Sequence, residues 1–61
     1  MFVNRRELKA QLVRQDMTAS DLAKILGISR QAVSVKLNGR SKFSEDEIKV
    51  LKDRFGLEIF Y

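Results

Sequence analysis

Thr18 to Gly39 reads TASDLAKILGISRQAVSVKLNG, and the fold turns on this stretch. Thr18 is a capping residue, and Leu22, Ala23 and Leu26 behind it repeat at helical spacing, so the segment predicts a short helix with one apolar face. Gly27 suits the left-handed conformation that ends such a helix, and Ser29 caps a second one whose buried stripe is Ile28, Val33 and Leu37. Only Gly27 and Ile28 lie between the first helix and that second cap. So tight a joint makes the helices cross steeply, with Ala23 where a larger side chain would hold them apart. The second helix opens with Ser29, Arg30 and Gln31 and carries Ser34 and Val35 one turn on, a set suited to base edges in the DNA major groove. An ordinary helical hairpin is the alternative, and the Leu-Ala-xx-Leu-Gly-Ile-Ser pattern speaks against it.

Four helix starts share one design. Val3-Asn4-Arg5-Arg6-Glu7-Leu8, Met17-Thr18-Ala19-Ser20-Asp21-Leu22, Ile28-Ser29-Arg30-Gln31-Ala32-Val33 and Phe43-Ser44-Glu45-Asp46-Glu47-Ile48 each set a capping residue between two apolar ones that can staple the first turn. Three place an acid at the third helical position, and Ala32 alone breaks the rule. An acid there would stabilise the isolated helix by about 0.3–1 kcal/mol but would oppose a phosphate or a base acceptor approaching the same positive end. The omission hints at an anionic ligand; a need for a small packing residue would explain it equally well.

With 61 residues, the chain is expected to form one domain, residues 1–61, with a marginal core and neither cysteine nor histidine for disulfides or a structural metal. Dense helix packing or dimerisation must compensate. No apolar run resembles a membrane span or a signal peptide, which makes a cytoplasmic protein, at the nucleoid of a bacterial cell, the expectation. No linker sets a separate effector domain apart, and no cofactor or small-molecule ligand is expected. The net charge is +4, and from Leu8 to Phe43 the bases Lys9, Arg14, Lys24, Arg30, Lys36, Arg40 and Lys42 face only Asp16 and Asp21, concentrating around the second helix of the pair. The acids gather at Glu45, Asp46 and Glu47, where a helix start explains them. Basicity alone also fits RNA or an acidic membrane surface, but no aromatic is interleaved with the bases as a stacking platform for RNA requires.

Along the whole chain, helices are expected over about Arg5 to Gln15, Ala19 to Leu26, Arg30 to Asn38 and Glu45 to Phe55, an all-α bundle of four or five helices. The first buries Leu8 and Leu12, with Val13 as a further candidate, and the last buries Ile48, Leu51 and Phe55, with Val50 at the margin and Gly56 as its stop. The closing Leu57-Glu58-Ile59-Phe60-Tyr61 is too short for a stable helix, and its apolar residues fall on both faces of an extended strand. It is expected to pack either on the core or on another subunit.

In the reading helix, Arg30 is matched to guanine, Gln31 to adenine and Val35 to a thymine methyl, each good bidentate pair discriminating by about 1–3 kcal/mol. Val35 could equally be an isolated surface apolar residue. Arg40, Ser41 and Lys42 follow the Asn38-Gly39 turn and are placed to meet the sugar-phosphate backbone. Thr18 and Ser20, at the start of the preceding helix, are candidates for another phosphate, and Lys24 or Arg14 could add charge. Each basic residue taken singly is as well explained by plain solvation.

With those residues in view, the chain resembles the phage Cro and repressor helix-turn-helix proteins of lambda-repressor-like fold. The likeness rests on Met17-Thr18, Asp21-Leu22-Ala23, Leu26-Gly27-Ile28-Ser29, Val33-Ser34, Lys36-Leu37-Asn38-Gly39, Phe43 and Glu47-Ile48, and it spans about residues 5 to 55. It implies a compact bundle that binds operator DNA, often as a two-fold dimer, and represses transcription by blocking polymerase. By position, Ser29, Arg30, Gln31 and Val35 match the family's base-reading sites, and Asn38 and Arg40 match sites near phosphates. Three departures stand out. Ala19 replaces a Gln that many relatives use against the backbone. Lys36 takes a position usually apolar, so either its stem lies along the core edge with the amine outside or the reading helix is rotated slightly. The chain also stops at Tyr61 where many relatives continue, which makes Leu57, Ile59, Phe60 and Tyr61 candidates for a dimer contact, strand to strand; closure of a small core by Phe55, Leu57 and Phe60 is the alternative.

Two function classes therefore compete: a homodimeric regulator of double-stranded operator DNA, and a protein-interaction module such as an antirepressor or antitoxin-like partner. An enzyme is not expected, since the chain has no His, no Cys and no phosphate loop, and its acid cluster is explained by capping.

Overall fold

The computed structural model describes residues 2–61. Helix α1 spans Arg5–Arg14, α2 Ala19–Leu26, α3 Arg30–Leu37 and α4 Glu45–Phe55, and a single 3-10 turn covers Leu57–Ile59. The capping logic is realised at every start: Asn4, Thr18, Ser29 and Ser44 each accept a hydrogen bond from the amide three residues on. In α2 and α4 the third-position acid reaches back to the cap amide and completes a capping box. The ends agree with the sequence reading to within a residue, α1 closing at Arg14 and α3 at Leu37 with Asn38 as its cap. Gly27 ends α2 at φ 71°, a value that L side chains rarely adopt, and the sharp reversal leads straight into the Ser29 cap. The α1–α2 turn makes the same move with Asp16 at φ 54°, while the Met17 amide bonds back to the Leu12 carbonyl. Aspartate is one of the few non-glycine residues that tolerate this region.

Leu8 and Leu12 of α1, Leu22 and Ala23 of α2, Val33 and Leu37 of α3, Leu51 and Phe55 of α4, and Ile59 share one core. Ala23 is 6% exposed, as expected where a small residue lets α2 and α3 approach. Val33 and Leu37 remain α3's inward stripe, so the helix is not rotated by the lysine between them. Val13 is a correction: at 76% exposed it lies outside the core, one residue and about 100° around the helix from Leu12.

The tail differs from the expected strand. Leu57–Ile59 winds into the 3-10 turn, which drops Ile59 fully into the core, and only Phe60 and Tyr61 run extended. They pair antiparallel with the chain's own start through a Val3–Phe60 bridge; the Phe2 and Tyr61 amides donate to each other's carbonyls at 3.1 and 2.9 Å. Burying the Ile59 side chain is worth about 1.5–3 kcal/mol, enough to hold so short a segment. Ile59 is therefore taken by its own core rather than offered to a partner, while Leu57 and Tyr61 stay exposed and Phe60 is half-buried.

Candidate nucleic-acid interface

All five side chains assigned to base reading, Ser29, Arg30, Gln31, Ser34 and Val35, are exposed. Val33 and Leu37 turn inward, so Gln31, Val35 and Asn38 form the opposite stripe, with Ser34 beside them. Val35 is 40% exposed on this otherwise polar face. The Ser29 hydroxyl oxygen accepts from the Ala32 amide at 3.1 Å, which leaves its proton to donate outward. The first turn of α3 holds no acid, so nothing offsets the positive helix end that Arg30 and Gln31 flank.

The α3 cap at Asn38 and the following Gly39, at φ 81°, turn the chain so that Arg40, Ser41 and Lys42 leave the end of α3 exposed to solvent. At the start of α2, by contrast, Thr18 is already occupied. Its hydroxyl donates to the Asp21 carboxylate at 3.1 Å and its amide donates to the same oxygen at 2.9 Å. The backbone bond from Thr18, then the side-chain bond, hold the Asp21 carboxyl below its usual value, so a negative charge stands at this helix start. Thr18 is thus committed to Asp21, and the exposed Ser20 is the freer of the two backbone candidates.

Lys36 resolves its departure from the family pattern in a way that neither sequence expectation described. Its side chain is only 16% exposed, and the amine, instead of standing outside, forms an ion pair with Glu47 and lies 5.9 Å from the Phe43 ring centre. Glu47 is only 7% exposed. Burial pushes its carboxyl up, yet hydrogen bonds from Lys36 and the Ser44 amide, with the Lys36 charge, outweigh burial and hold it below the usual value. The capping acid of α4 thereby ties α3 to α4 across the loop that carries Arg40 and Lys42. Sequence reading explained each residue separately, Lys36 as an anomaly and Glu47 as a cap, and the pairing between them was missed.

Two crossing helices joined at a left-handed glycine, the second with an exposed reading face and a basic loop behind it, form a helix-turn-helix. A family model described as helix-turn-helix matches residues 8–61. The chain belongs to the helix-turn-helix family. No curated protein and no solved structure matches it. As a helix-turn-helix domain, it is a DNA-binding domain of the kind that transcriptional regulators carry. Among the described residues there is no helix long and apolar enough to cross a membrane, and no group of three or more His, Cys, Asp or Glu side chains placed to hold a metal ion.

Proposed function

We propose that this helix-turn-helix domain, residues 1–61, is a Cro-like phage or prophage repressor that binds a near-palindromic operator as a homodimer, with α3 in the major groove. The observation that carries the reading is the exposed start and outward stripe of α3: Ser29, Arg30 and Gln31 stand exposed at a first turn that holds no acid, and Ser34 and Val35 follow, exposed, one turn on. Arg30 pairs with guanine, Gln31 with adenine and Val35 with a thymine methyl, and each good bidentate pair discriminates by about 1–3 kcal/mol. Ser29 and Ser34 fill in hydrogen bonds beside them. Arg40 and Lys42, with Asn38 and Ser20, hold the flanking phosphates and fix the register. Two protomers present their reading helices about 34 Å apart, one turn of DNA. The exposed Leu57 and Tyr61, with Phe2 at 70% exposed beside Tyr61, supply the apolar surface for that pairing.

Selection of bound duplexes from random DNA tests this, with Arg30→Ala and Gln31→Ala proteins run beside the parent. A palindromic motif that both variants lose supports the repressor. Binding without any enriched motif overturns it, and favours the antirepressor or antitoxin-like module, for which Leu57→Ala and Tyr61→Ala would abolish activity while the α3 variants would not.

A further inference from the structure

Arg5 and Arg6 occupy the first turn of α1, where a positive side chain opposes the helix dipole, and Lys9 follows one turn later. None of the three takes part in an ion pair: among the described residues the pairs are Arg14 with Glu7 and Lys36 with Glu47. All three are exposed and line one open groove, together with Asn38 at the end of α3 and Tyr61. No carboxylate side chain lines it. Asn38 lies on the outward stripe of α3 with Gln31 and Val35, so the groove continues the reading face past the end of that helix. Arg5 joins it to the basic loop. Its guanidinium lies so close over Gly39 that a Cβ built there would stand 2.5 Å from Nη1, and Arg5 also lines the neighbouring hollow with Ser41 and Lys42. The result is an unbroken basic rim from Lys42 over Arg5 to Arg6 and Lys9.

We propose that this groove is a second backbone clamp, in which Arg5, Arg6, Lys9 and Asn38 hold consecutive phosphates of a DNA strand bordering the major groove that α3 enters. The proposal rests on the DNA-reading assignment of α3 and extends it to a helix outside the helix-turn-helix pair. Arg5 and Arg6 stand against the α1 dipole and, like Lys9, pair with no carboxylate; at a phosphate each forms a charge-assisted hydrogen bond and releases a counterion.

The test is Arg6→Gln combined with Lys9→Gln, since both side chains are exposed and Arg5 is left against Gly39. Affinity for the duplex selected by the parent is measured as salt is varied. Losing two phosphate contacts makes the slope of log affinity against log salt shallower by about 2, and weakens binding at about 0.1 M salt between roughly tenfold and a hundredfold. The selected base motif stays the same, and the variant melts no lower than the parent, because both side chains are exposed and unpaired and Arg6, in the first turn, opposes the dipole of α1. An unchanged slope overturns the clamp, and so does an equal change from Lys49→Gln with Lys52→Gln, a pair outside the groove. Failure of the α3 reading is distinguishable: the parent then enriches no motif, while the slope difference on any duplex still tests the groove.

Discussion

Lys36→Met takes away the cation paired with Glu47 and leaves a carboxylate that is 7% exposed with the Ser44 amide, 2.8 Å away, still donating to it. Breaking a fully buried pair costs about 3–5 kcal/mol. Here the cost has a ceiling, because Glu47 can escape by taking up a proton. From its usual value of 4.5, protonation at pH 7 costs about 3.4 kcal/mol, at about 1.36 kcal/mol per pH unit. With the amide contact retained, the expected loss at pH 7 is about 2–3 kcal/mol. A chain of 61 residues has on the order of 3–9 kcal/mol in total, so the variant loses a large share of its stability. Its melting temperature falls by roughly 10–20 °C. The penalty depends on pH. Because the folded-state value of Glu47 is lowered, the pair stabilises the parent fully above 4.5, and the contribution is lost as pH falls through the lowered folded value. Urea unfolding followed by circular dichroism should therefore show parent and variant far apart at pH 7 and converging in acid. Glu47→Gln keeps the α4 cap, and in that background Lys36→Met should cost little, giving a coupling of about 2 kcal/mol. A loss below about 0.5 kcal/mol at pH 7, or one that does not change with pH, refutes the tie between α3 and α4.

Gly27→Ala and Gly39→Ala impose the same left-handed strain, about 1–2 kcal/mol, but a Cβ meets open space at Gly27 and the Arg5 guanidinium at Gly39. Both should melt lower by similar amounts in thermal scans, while only Gly39→Ala should also weaken the salt dependence of DNA binding by displacing Arg5. Ile59→Ala should cost about 2–5 kcal/mol in urea titrations and free the Phe2–Tyr61 pairing, and a loss under about 1 kcal/mol would mean that the tail is not part of the core. Asp21→Asn leaves α2 capped by Thr18 and removes a carboxyl that the fold holds below its usual 3.8, so stability should fall less than the parent's between about pH 5 and pH 3 in pH-dependent melts.

The helix-turn-helix was legible because its determinants are local. A cap, an apolar residue at helical spacing and a glycine at the joint lie within a few residues of each other, and Thr18, Ser29 and Ser44 perform the caps that their spacing implied. What was not legible depends on contacts distant in sequence. Nothing within Leu57 to Tyr61 says that it winds into a turn that buries Ile59 and then pairs with Phe2 and Val3 at the other end of the chain. Val13 adjoins Leu12, and only the packing of the other helices decides which of two neighbouring positions the core covers. Lys36 and Glu47 were each explained locally, which concealed their meeting. Arg5, Arg6 and Lys9 carried no assignment from the sequence, because it is the fold that brings Arg5 over Gly39, and the one sequence signal was the placement of Arg5 and Arg6 against the dipole.

Whether the start and outward stripe of α3 read bases is decided by loss of contact. Parent, Arg30→Ala, Gln31→Ala and Val35→Ala proteins are titrated with the selected duplex and with a set in which each base pair is changed in turn. Arg30→Ala and Gln31→Ala should each become indifferent to one base pair per half-site, a loss of about 1–3 kcal/mol of discrimination there with the other positions unchanged, and Val35→Ala should relax a thymine position more weakly. Variants that bind every duplex more weakly by the same factor, with no position relaxed, would contradict it.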